Sequence, residues 1–81
     1  MKILIIEDDQ IVANIYRKKF AHEGFNAETA LDGEVAIELV SSFRPDVILL
    51  DLVLPRMTGL EVMRRVRAQQ ELEKAPIVVF S

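Results

Sequence analysis

Val47-Ile48-Leu49-Leu50 is an apolar run without alternation, and it stops abruptly at Asp51. A strand with one wet face alternates apolar and polar side chains. A short run that does not alternate suits a strand buried on both faces, as in a parallel sheet with helices above and below. Ile3-Leu4-Ile5-Ile6 and Ile77-Val78-Val79-Phe80 read the same way. A weaker strand is expected over Asn26 to Ala30.

Between these runs the period changes to that of a helix. Ile11 to Glu23 places Ile11/Ile15 and Val12/Tyr16/Phe20 at four-residue spacing, and Gly24 stands where a helix C-cap belongs. Asp32 can cap a second helix running to about Phe43, with Val35/Leu39 and Ala36/Val40/Phe43 expected inside and Arg44-Pro45 as its stop. Thr58 and Glu61 form a capping-box pattern that opens a third helix to about Gln70, with Leu60, Met63 and Val66 expected inside.

The order is βαβαβαβ, which implies an open, doubly wound parallel α/β sheet. Right-handed crossovers then give strand order 2-1-3-4, with the first helix on one face and the second and third on the other. The fourth strand is left as an apolar edge, an invitation to pair with another chain. The expectation is therefore the front part of a larger domain, one that self-associates through that edge.

Composition narrows the function. The chain has 81 residues, enough for one small domain of marginal stability. It has no Cys and a single His, His22, which excludes thiolate zinc sites, Cys nucleophiles and His-based triads. The absence of Cys and of a signal peptide fits a cytoplasmic protein. The longest apolar runs are about five residues, against the roughly 20 that a membrane span needs. Net charge is −3, with no basic cluster of the kind that binds nucleic acid. Arg64, Arg65 and Arg67 share a helix with Glu61 and read as its solvated face. The three glycines, Gly24, Gly33 and Gly59, make no phosphate-cradling loop, so nucleotide binding is not expected.

The chemistry lies in the acids. Ligands of a doubly wound sheet bind beyond the carboxyl ends of the strands at the switch point, here between strands 1 and 3. Strand 1 ends in Glu7-Asp8-Asp9 and strand 3 in Asp51. Neighbouring strands lie about 4.8 Å apart, so these carboxylates should converge. Like charges at about 4 Å repel by roughly 4 kcal/mol at an effective dielectric of about 20. A hard-oxygen cluster of this kind suits Mg²⁺. Each acid also has a plainer reading. Asp9 fits an N-cap of the first helix, Glu7 and Asp8 fit ordinary loop acids, and Asp51 fits a turn at a strand end. A carboxylate beside Mg²⁺ can attack phosphorus and form an aspartyl-phosphate. Ser81, at the end of the fourth strand, would bring its hydroxyl to the same place.

With these motifs in this order, the whole chain resembles the receiver domain of two-component response regulators. The resemblance rests on Ile3 to Asp9, Pro45 to Gly59 and Pro76 to Ser81. It implies a flavodoxin-like fold and a role for each acid. Asp51 is implied as phosphoacceptor. Asp8 is implied as a direct Mg²⁺ ligand and Glu7 as one acting mostly through water, with the Val53 backbone carbonyl as the third protein ligand. Ser81 is implied as the hydroxyl that bonds the phosphoryl group and couples it to conformational change, and Pro55 and Gly59 match the loop after the acceptor. The implied partner is a sensor histidine kinase or phosphotransfer protein, docked through the first helix at Ile11, Asn14, Ile15 and Lys18. Residues 1–81 are thus expected to be a partial receiver domain. It would lack helix 4, strand 5, helix 5 and the Lys after strand 5, with phosphorylation and output impaired accordingly. Two other readings stand beside this one. The chain could be an inert assembly fragment of such a domain, or a Mg²⁺-dependent phosphatase. The second acid that such phosphatases present two residues after the nucleophile is replaced here by Val53.

Overall fold

The computed structural model describes residues 1–51, 58–69 and 75–80. Its elements are β1 (Lys2–Ile6), α1 (Gln10–His22), β2 (Asn26–Ala30), α2 (Gly33–Phe43), β3 (Val47–Asp51), α3 (Gly59–Gln69) and β4 (Ile77–Phe80). The strands form one parallel sheet in the order β2-β1-β3-β4, as expected. The register pairs Ile6 with both Ala30 and Leu50, which levels the carboxyl ends of the three strands.

Alternation divides each strand between two layers. Leu4, Ile6, Ile48 and Leu50 pack with Ala36 and Val40 of α2 and Val62 and Val66 of α3, flanked by Leu39, Phe43 and Met63. Ile3 and Ile5 are buried on the opposite face, where α1 packs on β1 and β2 through its buried Ala13. At the outer edge of β4, Val78 and Val79 are exposed.

The helix ends follow local chemistry. Asp32 accepts from the Val35 amide at 2.9 Å and starts α2. At the end of α1 the Gly24 amide donates to Ala21 O and the Phe25 amide to Phe20 O, a Schellman closure. Gly24 takes φ +97°, which L side chains rarely adopt. The Phe20 and Phe25 rings meet edge to face at 5.5 Å across this turn, the apolar contact that accompanies the motif. Arg44, the C-cap of α2, is left-handed at φ 53° just before Pro45, which disfavours a further helical residue.

Two inward assignments are corrected. Leu60 is 70% exposed rather than buried. The inner stripe of α3 is Gly59, Val62 and Val66, with Met63 at its margin, and Leu60 lies about 100° around the helix from Gly59. Val35 is exposed for the same reason, because α2 turns Gly33, Ala36 and Val40 inward. Leu60→Gln should therefore change stability by less than about 0.5 kcal/mol in urea unfolding. A loss of about 2 kcal/mol or more would return Leu60 to the core.

The capping box is half formed. The Glu61 amide donates to Thr58 Oγ1 at 3.2 Å. The Glu61 carboxylate, instead of reaching back, accepts from Arg64 and Arg65. These two arginines hold its pKa below the usual carboxylate range. Arg67 departs from the solvated face by donating to Ala75 O at 2.7 Å, tying α3 to the approach to β4.

Candidate functional site

β1 and β3 are adjacent and parallel, and Glu7 and Asp51 each follow a residue of the Ile6–Leu50 pair. Register therefore brings them to one level at the carboxyl end of the sheet. Asp8 completes the group. Glu7, Asp8 and Asp51 each offer an oxygen, and these atoms lie within 4.8 Å of one another. Asp8 is exposed, whereas Glu7 and Asp51 are only 5% and 6% exposed.

Burying a carboxylate among carboxylates is costly. The Glu7 pKa is pushed up to about 7, chiefly by burial. The hydrogen bond and charge of Asp51, and a hydrogen bond with Asp8, push the same way, while the Asp9 amide opposes them. That amide donates to Glu7 Oε1 at 3.1 Å. The Glu7 amide itself donates to Ala30 O at 3.0 Å, extending the β1–β2 ladder by one bond.

The acids next to one another in sequence divide their work. Asp9 caps α1, its Oδ1 accepting from the Ile11 amide at 2.9 Å and the Val12 amide at 3.2 Å. It is outside the three-acid cluster. Sequence reasoning found this cap but missed the backbone bond to Glu7. The direction of one peptide N–H depends on a ψ angle that no residue pattern reports. Val53, Pro55 and Ser81 lie outside the described residues. Gly59 is buried at the start of α3. Of the expected docking residues on α1, Ile11 and Ile15 are 74% and 60% exposed, Lys18 is exposed and Asn14 is half-buried.

The cluster is all carboxylate, with no imidazole or thiolate. Oxygen-only donors at this spacing fit a hard divalent cation that keeps part of its water shell. The buried, mutually repelling pair Glu7 and Asp51 is what such a cation would relieve.

Comparison with known proteins places this geometry in a family. The family model described as response regulator receiver domain matches residues 3–81. Response regulator MprA of Mycolicibacterium vanbaalenii is 37% identical over 81 residues, covering all of this chain and 34% of that protein. The same protein from Mycobacterium ulcerans is also 37% identical, again over 34% of its length. The chain thus spans about a third of the curated relatives it matches. Among solved structures, chemotaxis protein CheY4 of Vibrio cholerae superimposes with a TM-score of 0.90 at 32% identity, over 96% of this chain and 65% of that one. The receiver domain of sensor histidine kinase PA1611 from Pseudomonas aeruginosa, solved with a magnesium ion coordinated in its active-site cleft, superimposes with a TM-score of 0.89. It is 28% identical, over 99% of this chain and 66% of that one.

Proposed function

Because this chain belongs to the response regulator receiver domain family of two-component systems, we propose that it accepts a phosphoryl group on Asp51 from a histidine kinase or phosphotransfer protein, with Mg²⁺. The observation that carries this reading is the convergence of Glu7, Asp8 and Asp51 at the carboxyl end of the sheet.

An Asp51 carboxylate oxygen attacks phosphorus as the bond from phosphorus to the donor's imidazole nitrogen breaks. The products are an acyl phosphate on Asp51 and a free imidazole on the donor. Asp8 would hold Mg²⁺ directly, Glu7 mostly through water, and the Val53 carbonyl would complete the protein ligands. When bound, the ion offsets the repulsion between the acids and the incoming phosphoryl oxygens. Ser81 would donate its hydroxyl to a phosphoryl oxygen and couple it to conformational change. The resemblance supports the roles of Val53 and Ser81, and the three-acid geometry supports those of Glu7, Asp8 and Asp51.

The donor docks on α1, where Ile11, Ile15 and Lys18 are exposed. The domain acts in the cytoplasm as a signalling module rather than a turnover enzyme. Among the described residues, no helix is long and apolar enough to cross a membrane. We read residues 1–81 as part of a receiver domain, since the solved relatives extend well beyond the region matched. The exposed Val78 and Val79 support a second reading, self-association through the β4 edge.

The test is an intact-mass spectrum after incubation with acetyl phosphate and Mg²⁺. The wild-type chain should gain the mass of one phosphoryl group and Asp51→Asn none. Equal gain in both would remove Asp51 as acceptor. No gain in either would leave the assembly reading, which predicts a dimer in light scattering.

A further inference from the structure

Asp9 faces two ways. Its side chain and carbonyl serve α1: Oδ1 accepts from the Ile11 and Val12 amides, and the carbonyl accepts from the Ala13 amide at 2.8 Å. Its own amide serves the acid cluster, donating to Glu7 Oε1 at 3.1 Å. The residue is held in extended conformation at φ −82° and ψ 113°. These bonds share one peptide geometry. The cap on α1 fixes the backbone of residue 9, and that backbone aims the N–H at Glu7.

The consequence falls on Glu7. A glutamate has several rotatable side-chain bonds, and a free one beside two other acids would swing away from them. The bond from the Asp9 amide to Oε1 anchors the carboxylate beside Asp8 and Asp51, whose oxygens lie within 4.8 Å of one of its own. We infer that Asp9 is a positioning residue for the acid cluster, its capping of α1 holding its own amide on Glu7 and so setting the carboxylate geometry that a divalent cation meets. Asp9 needs no contact with the ion to do this, and its charge is not what matters. Groups that orient metal ligands in this indirect way typically change affinity by about 10-fold or more when removed. The inference rests on the proposed cation-binding reading of the site.

Four variants of the 81-residue chain separate the possibilities: Asp9→Asn, Asp9→Ser, Asp9→Ala and Asp9→Gly. Asn and Ser keep a capping oxygen without the charge. Ala and Gly lose it, and Gly is well tolerated at an N-cap, so it serves if Ala does not fold. Two quantities are read by amide NMR, with circular dichroism as the check on folding. One is the Mg²⁺ dissociation constant. The other is the metal-free amide proton shift of residue 9, which reports its bond to Glu7 against a Glu7→Ala reference that removes the acceptor.

The expected result is wild-type affinity within about twofold for Asn and Ser, with the residue 9 amide shifted as in wild type. Ala and Gly should bind about 10-fold more weakly, with that shift lost. Wild-type affinity and an unchanged shift in Ala or Gly would reduce Asp9 to a cap and overturn the inference. So would an equal loss in all four, which would make its charge the cause. If the wild-type chain itself binds no Mg²⁺, the cation reading falls instead. The metal-free shift then decides on its own: retained in Asn and Ser but lost in Ala and Gly, it upholds the positioning of Glu7, and any other pattern refutes it.

Discussion

Leu4→Ala is expected to leave the chain largely unfolded at temperatures where the wild type is folded. Leu4 is fully buried in β1, between β2 and β3, and packs into the cluster of Ile6, Ala36, Val40, Ile48 and Leu50. Truncating a buried leucine costs about 2–5 kcal/mol, the transfer energy of the lost methyl groups plus the cavity left behind. A chain of this size has a total stability of only about 4–12 kcal/mol, and no disulfide raises it. The site cannot collapse easily, because both neighbouring strands hold it in register. At roughly 4–8 °C per kcal/mol, the melting temperature should fall by about 10 °C or more. Circular dichroism melts of the two proteins measure this. A fall of under about 3 °C would mean that the layer over α2 and α3 is not the stabilising core.

The same residues show how far a sequence reports its own structure. The unalternating run Val47 to Leu50 identifies β3 because burial on both faces leaves no position for a polar side chain. Asp32 and Gly24 mark their helix ends because each satisfies backbone groups that nothing else nearby can reach. Leu60 misleads because apolarity does not state direction. The stripe that turns inward is set by where α3 starts and what α2 offers it, and small Gly59 occupies the inward position. Glu61 misleads because Arg64 and Arg65 compete for its carboxylate, and two charge-assisted partners win over one backbone amide. The convergence of Glu7, Asp8 and Asp51 is legible because strand order and register alone bring those positions together. The bond from the Asp9 amide to Glu7 is not, since it depends on one peptide orientation.

That convergence has a thermodynamic signature. Without metal, the chain should lose stability as pH rises from about 4.5 to about 7, the reverse of the usual behaviour of paired carboxylates. The Glu7 pKa is raised from 4.5 to about 7 in the folded state, chiefly by burial. Across that window the folded chain binds more protons than the unfolded one, so stability falls with rising pH and levels off above it. At about 1.4 kcal/mol per pH unit the loss approaches roughly 3 kcal/mol. Glu61 acts with the opposite sign. Its pKa is lowered, so its contribution is present above its unfolded pKa and is lost only in more acidic solution. Mg²⁺ should counteract the Glu7 effect, because a bound cation favours the ionised acids. At 100 times its dissociation constant, the ion adds about 2.7 kcal/mol. That gain should be full at pH 8 and small at pH 5, where protons compete for the same oxygens. Thermal melts from pH 4.5 to 8, in EDTA and in Mg²⁺, measure both effects, and Glu7→Gln should flatten the metal-free profile. A metal-free melting temperature that holds steady or rises across the window would show that Glu7 is not held among acids as described. Equal Mg²⁺ stabilisation at pH 5 and pH 8 would place the ion elsewhere on the molecule.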